Sequence, residues 1–399
     1  MITMHAILNR ISVLLFSACL LSLLMMVTGC SSANNPTYEL SEEEVITDFA
    51  DTTVDSVMIA ELYRDIYEQA SSEQRIGSLE VIQAIVNRLG EHGYAALDTE
   101  NHNQVNMTHP ELLEQFCDLV EENGEGNAMF FCVSGDGGFV RFDLTTSGGK
   151  VMVTRSVLCW SNGEPEIGYV NSYPAEGWKY SENGYLFFEE ALPSGYDGAV
   201  GYTAVRVQPL EEKCRECNRR YILPVGYGSN NLFLSDWSEP DFQGVDFDDM
   251  FALLYASVMG VSIPYEKTVD GEEYLVPEAV YEKVIGSYFA IDNVLLRGMA
   301  EYSQQKEGYE YSTRNFLNNS NSPNIPYPEV VDCRDGEDGT LILTVNAVWP
   351  QKHLEKAFSH EVTIHPDNDG GFCYVSNHVI PSVENVEPEW YTEKASTSR

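Results

Sequence analysis

Near the carboxyl end, residues 340–349 alternate Leu341, Leu343, Val345, Ala347 and Trp349 with Ile342, Thr344, Asn346 and Val348. A period of two is the pattern of a β-strand with two distinct faces. Residues 357–364 and 372–380 follow in the same style, the last two runs joined through Asp367-Asn368-Asp369-Gly370-Gly371. Three such runs predict a three-stranded antiparallel sheet, and its apolar face needs a helix layer to cover it. The upstream segments supply one. An acidic stretch, 241–249, introduces a helix over 250–260, and Pro277 opens another with Val280, Val284, Ile285 and Phe289 on one face. A third helix is expected over 292–305, a hairpin over 265–276 about Asp270-Gly271, and a long loop over 312–328.

The first half repeats this order. Val57, Leu62, Ile66 and Ala70 mark one helix, and Leu79, Ile82, Ile85, Val86 and Leu89 a stronger one with Ser78 as its N-cap. Thr108 is expected to cap a third, with Pro110 in its first turn and Leu112, Leu113, Phe116, Leu119 and Val120 as its apolar face. From Ala128 to about Val225 the period becomes two, broken by Gly-rich turns, which reads as a meander of short antiparallel strands. The expected fold class is therefore α+β: two lobes of helices on antiparallel sheets, 51–240 and 241–385, with a tail at 386–399. No fixed-period repeat supports a solenoid or propeller.

Ahead of the lobes lies an address. Residues 1–10 carry Arg10 and no acid, residues 11–27 are apolar apart from three serines, and the run ends in Val27-Thr28-Gly29-Cys30. A charged start and an apolar core form a secretory signal over 1–29. Small residues at 28 and 29 fit the peptidase groove, and the Cys30 thiol would take a diacylglycerol by thioether. Two or three acyl chains, palmitate among them, then hold the chain to the membrane at about 0.8 kcal/mol per buried methylene. The alternative is an uncleaved span with an incidental cysteine. Residues 30–50, rich in Ser, Asn and Glu, read as a flexible stalk reaching roughly 25 Å.

Cleavage before Cys30 removes one of 23 basic residues and none of 62 acidic ones, leaving a net charge of −40. Such a surface repels nucleic acid and anionic lipid headgroups and favours basic partners.

In the C-terminal block, Thr-Leu-Ile-Leu-Thr-Val-Asn-Ala-Val-Trp-Pro at 340–350, Phe-Ser-His-Glu-Val-Thr-Ile at 358–364 and Tyr-Val-Ser-Asn at 374–377 resemble a domain-of-unknown-function lipoprotein family of Gram-positive gut bacteria. The resemblance covers about the last third of the chain and the leader. It implies a lipid-anchored surface protein and transfers no catalytic residue.

Candidate chemistry is sparse. Cys214-Arg215-Glu216-Cys217 places two thiols at the spacing of a redox disulfide or half a zinc site. No second pair completes a zinc site, and the flanking strands suggest a hairpin tip, so a local disulfide or spare thiols is the plainer reading. His353, His360, His365 and His378 gather in the last sheet, where His360 and His378 are candidate cross-strand neighbours, but the third and fourth ligands are missing. The Asp367 and Asp335 segments resemble calcium loops yet read better as hairpin turns. The acids at 236–249 suit weak calcium binding or, more simply, a helix N-terminus. Aromatics crowd 169–188, namely Tyr169, Tyr173, Trp178, Tyr180, Tyr185, Phe187 and Phe188; exposed they would stack on sugars or partners, buried they are core, and core is favoured for most.

No nucleophile, zinc-hydrolase or nucleotide-binding motif is present. The reading is a membrane-anchored, extracytoplasmic protein that binds a protein or glycan at the cell surface without a cofactor or metal. The competing reading is a cell-envelope hydrolase with acidic residues in an inter-lobe cleft.

Overall fold

The computed structural model describes residues 55–98, 103–195, 201–265, 273–312, 325–367 and 370–391. The leader, Cys30, the stalk, the Asp270-Gly271 turn and most of the tail lie outside the described residues. The fold is α+β.

A short helical stretch at 55–61 leads into α1 (Arg64–Ser72) and α2 (Leu79–Glu91). Ser78 caps α2 as expected, its hydroxyl accepting from Val81 N at 3.4 Å. Strand β1 (Ala95–Asp98) then runs parallel to β2 (Glu125–Val133), with α3 (Pro110–Glu121) as the crossover. Here His109 rather than Thr108 occupies the N-cap position of α3. Thr108 Oγ1 instead accepts from Ala96 N at 3.0 Å and donates to Tyr94 O at 2.9 Å, pinning the approach to the helix to β1.

Strands β3 (Phe139–Ser147), β4 (Lys150–Ser161) and β5 (Glu164–Pro174) extend this sheet in the order β1-β2-β3-β4-β5. Its two faces bury different partners. Phe131, Val133, Phe139 and Leu158 pack under α1 and α2, whereas Phe130, Phe142, Leu144 and Val153 pack under α3 and a second sheet. That second sheet has β6 (Glu176–Tyr180), β7 (Tyr185–Glu189) and β8 (Tyr202–Arg206) in the order β6-β7-β8.

The meander ends at Arg206. The next element is helix α4 (Glu212–Cys217), continued by one π-helical turn at Asn218–Ile222, and not a hairpin tip. The run from Glu211 to Arg220 has no β-branched residue to favour a strand and is mostly straight-chain helix formers. The core of the C-terminal half accordingly begins at Cys214 and includes Tyr221, Tyr227 and Phe233.

Strand β9 (Trp237–Ser238) precedes α5 (Phe247–Met259), β10 (Glu273–Pro277), α6 (Glu278–Gly286) and α7 (Asn293–Met299). Helix α7 is shorter than the expected 292–305, because β11 (Tyr302–Ser303) and β12 (Gly308–Ser312) follow and pair with β10 in the order β10-β12-β11.

The final sheet contains the three predicted runs, β14 (Leu341–Val348), β15 (Ser359–Pro366) and β16 (Phe372–Val379), antiparallel in sequence order. Two strands were not foreseen: β13 (Tyr327–Asp335) flanks β14, and β9 closes the far side. Part of β13 falls in the expected loop, where Pro326 and Pro328 mask it; an edge strand tolerates Pro328 because that side needs no ladder hydrogen bond.

Candidate functional site

Glu329, on β13, is 1 % exposed, and both its carboxylate oxygens are occupied. Oε2 accepts from Arg206 Nη1 at 2.8 Å. Oε1 accepts from Arg215 Nη1 at 3.2 Å and from the Tyr185 hydroxyl at 3.0 Å. Arg206 ends β8 and Arg215 sits in α4, so one carboxylate on β13 ties three elements together.

The cluster continues outward in polar contacts. Arg215 Nε and Nη2 donate to Asn106 Oδ1 at 3.1 and 3.0 Å, and Asn103 Oδ1 accepts from Arg206 N at 3.1 Å. Burial, followed by the nearby Glu329 charge, drives the Tyr185 and Tyr327 hydroxyls well above the usual phenol value, so both stay protonated. The desolvation of three charges offsets most of their attraction, so such a cluster fixes register and orientation more than it adds stability.

A second set of contacts reinforces this junction. Glu355 accepts from Ser181 Oγ at 2.5 Å and Asn183 Nδ2 at 2.8 Å, and Lys179 Nζ donates to His353 O at 2.9 Å. The His353 ring stacks on Phe187 with centroids 5.8 Å apart. At Gly177 (φ +58°), in the irregular stretch of β6, a Cβ would come within 2.2 Å of that ring, so glycine is required both for the positive φ and for the approach. Tyr185, Phe187, Tyr327 and Val348 form a small apolar cluster beneath.

The thiols lie on the other side of Arg215. Cys214 and Cys217 are buried, one helical turn apart on α4. Neighbouring residues three apart on a helix have Cβ atoms about 5–6 Å apart. A disulfide needs about 3.5–4.5 Å. A bond between these two would therefore require the turn that carries them to tighten. Cys217 instead meets Cys333 on β13, Sγ to Sγ 3.2 Å.

The other sequence candidates disperse. His360 is fully buried and pairs with Val379, while His378 pairs with Glu361; the two histidines point to opposite faces and are not cross-strand neighbours. Asp246 caps α5 by accepting from Asp249 N at 3.2 Å, Asp248 accepts from Tyr281 Oη at 2.8 Å, and Asp236 accepts from Val379 N at 2.6 Å. Much of the acidic run is thus engaged in capping and anchoring. Among the described residues, no group of three or more His, Cys, Asp or Glu is placed to hold a metal ion. Residues Gly336 to Thr340 and Asp367 to Gly371 close hairpins through backbone hydrogen bonds of 2.8 Å, as their Asp-Gly content predicts. Of the aromatic run, Tyr173, Tyr185, Phe187 and Phe188 are buried, Trp178 and Tyr180 pack against that core, and Tyr169 is 48 % exposed.

The Glu329 cluster escaped the sequence reading, although one signal was there. Arg206 stands between Val205 and Val207 in a chain with few basic residues, and an arginine inside an apolar strand needs a buried partner.

Fold and cluster together define an α+β protein in which a buried Arg–Glu–Arg contact joins β8, α4 and β13. The chain belongs to a family of unknown function, DUF6070, which matches residues 50–394. No curated protein and no solved structure matches it. Among the described residues, no helix is long and apolar enough to cross a membrane.

Proposed function

We propose that this is a lipid-anchored, extracytoplasmic binding protein that engages a protein or glycan at the cell surface without catalysing a reaction. Cys30 carries the acyl chains, residues 30–50 form the stalk, and the acidic body faces outward. The lipobox at 27–30 supports the anchor, and the resemblance of the 340–377 strands to lipoproteins of Gram-positive gut bacteria supports the setting.

The observation that carries the non-catalytic reading is the state of Glu329. Glycoside hydrolysis needs two carboxyl groups about 5–9.5 Å apart across the substrate. The carboxylate at this junction faces two guanidinium groups and a phenol, and is closed to solvent. Its role is to hold the halves in one orientation, as a binding surface assembled from both requires.

Two measurements test the proposal. Metabolic labelling with an alkyne fatty acid should mark the wild-type chain and not Cys30→Ala, and protease added to intact cells should digest the body. Loss of either result removes the anchor. The purified protein should co-sediment saturably with cell-wall sacculi or cross-link to an envelope protein on intact cells. Failure of both removes the binding role.

A further inference from the structure

We infer that Cys217 and Cys333 form a disulfide when the protein is exported, cross-linking helix α4 to the edge strand β13. This rests on the extracytoplasmic reading above, because such bonds persist only in an oxidising compartment.

The geometry is set by neighbours on both sides of the pair. Asn218 Nδ2 donates to Pro328 O at 3.2 Å, and Val330 N donates to Asn218 Oδ1 at 3.3 Å. Arg215 holds Glu329, and Lys213 Nζ reaches Asp335 Oδ1 at 3.3 Å. Contacts before and after Cys217 along α4 thus meet residues before and after Cys333 along β13. The sulfurs sit 3.2 Å apart and need to close by only about 1 Å to reach a bonded 2.05 Å. Cys214 lies one turn earlier on α4, and joining it to Cys217 would require that turn to tighten, whereas Cys333 already stands at 3.2 Å.

The reaction balances with a disulfide-bearing oxidant, either a thiol–disulfide oxidoreductase or a small disulfide. Two protein thiols and one oxidant disulfide give one protein disulfide and two oxidant thiols. Burial pushes the Cys217 thiol up to about 12 and Cys214 up to about 11, so neither is an activated nucleophile in the folded state. Cys217 therefore suits a bond made during folding rather than a fast redox sensor.

Trypsin separates the candidates, since cleavage after Lys213, Arg215 and Arg219 places Cys214 and Cys217 on different peptides. Full-length protein from the membrane fraction, alkylated before lysis and mapped without reductant, should give peptide 216–219 linked to the peptide ending at Arg334, with Cys214 alkylated. Alkylation of both Cys217 and Cys333 in protein that external protease reaches would overturn the inference, as would a link through Cys214. If protease shows that the protein is not exported, the purified full-length chain incubated with glutathione disulfide decides the matter. A 217–333 link sustains the pairing, and glutathione adducts alone refute it. In the linked protein a reductant should lower Tm by about 5 °C, and Cys333→Ser should abolish that response.

Discussion

The hydroxyls of Tyr185 and Tyr327 stand 3.1 Å apart, and the direction of the hydrogen bond between them is fixed by their other partners. Tyr185 uses its one proton on Glu329 Oε1, so Tyr327 must donate to Tyr185. Tyr327 in turn accepts from Asn103 Nδ2 at 3.0 Å. The chain of donors runs one way, from a loop amide through two phenols to a carboxylate held by two guanidinium groups. Each member orients the next, so the cluster has few alternative arrangements.

Removing the carboxylate should therefore cost far more than removing the whole cluster. Glu329→Ala leaves two buried guanidinium groups without their anion and is expected to lower unfolding free energy by about 3–5 kcal/mol. Replacing Arg206, Arg215 and Glu329 together by apolar residues of similar size should fall within about 2 kcal/mol of wild type. Denaturant melts of both variants measure this, and equal losses would show that the ion pairs themselves stabilise the fold.

The aromatic strands make the opposite kind of test. Phe188 is fully buried against Phe142 and Trp178, with ring centroids 5.6 and 5.8 Å away. Phe188→Ala should lose about 3–5 kcal/mol. Tyr169→Ala should stay within about 0.5 kcal/mol, because nearly half of that side chain is already in water. If sacculus binding also survives Tyr169→Ala, the partner surface lies elsewhere than on this strand.

How much of the fold was legible in the sequence depends on how local each signal is. Ser78 and the alternation of Leu341 to Val348 announce themselves within one turn or one strand, and both elements formed as read. Strand β1 could not be read as the parallel partner of β2, since Ala95 to Asp98 is too short to show a period and the pairing depends on a helix between them. The Cys214–Cys217 spacing was visible, but its meaning depended on tertiary structure: α4 brings Cys217 to Cys333 on β13, 116 residues away in sequence. Glu329 was hidden for a different reason, because among 62 acids nothing local distinguishes the one that two distant arginines will find.

His360 gives the fold a dependence on pH with a definite sign. Its Nδ1 lies 2.7 Å from Asn377 Oδ1, which only accepts, because Asn377 Nδ2 donates to Ser235 O. The ring therefore carries its proton on Nδ1 and accepts from the Tyr227 hydroxyl at Nε2, 2.9 Å away. Burial lowers its pKa to about 4, the Asn377 hydrogen bond opposing this only in part. An unfolded histidine titrates near 6.5, so between these values the unfolded chain binds more protons. His360's contribution is fully present above about pH 6.5 and is lost as pH falls towards 4, by about 3 kcal/mol in all. Carboxylates add their own pH dependence, so the informative quantity is the difference between wild type and His360→Gln. That difference should shrink with acidification over this window; a constant offset would show that His360 does not titrate on unfolding.

The acidic run offers a last discrimination, between a helix cap and a cation site. Asp246 has β-region backbone angles and its carboxylate accepts from Asp249 N, the arrangement that satisfies one orphan amide of α5. Asp246→Ala should cost about 1 kcal/mol, and Asp246→Asn or Asp246→Ser should recover most of it, since those side chains also cap. Asp241→Asn should be nearly silent by comparison, because its carboxylate accepts from Gln243 N, 3.3 Å away, in an exposed turn. Millimolar calcium should leave the wild-type melting temperature unchanged. A calcium-dependent rise that Asp246→Asn removes would mean that the run binds a cation as well as capping the helix.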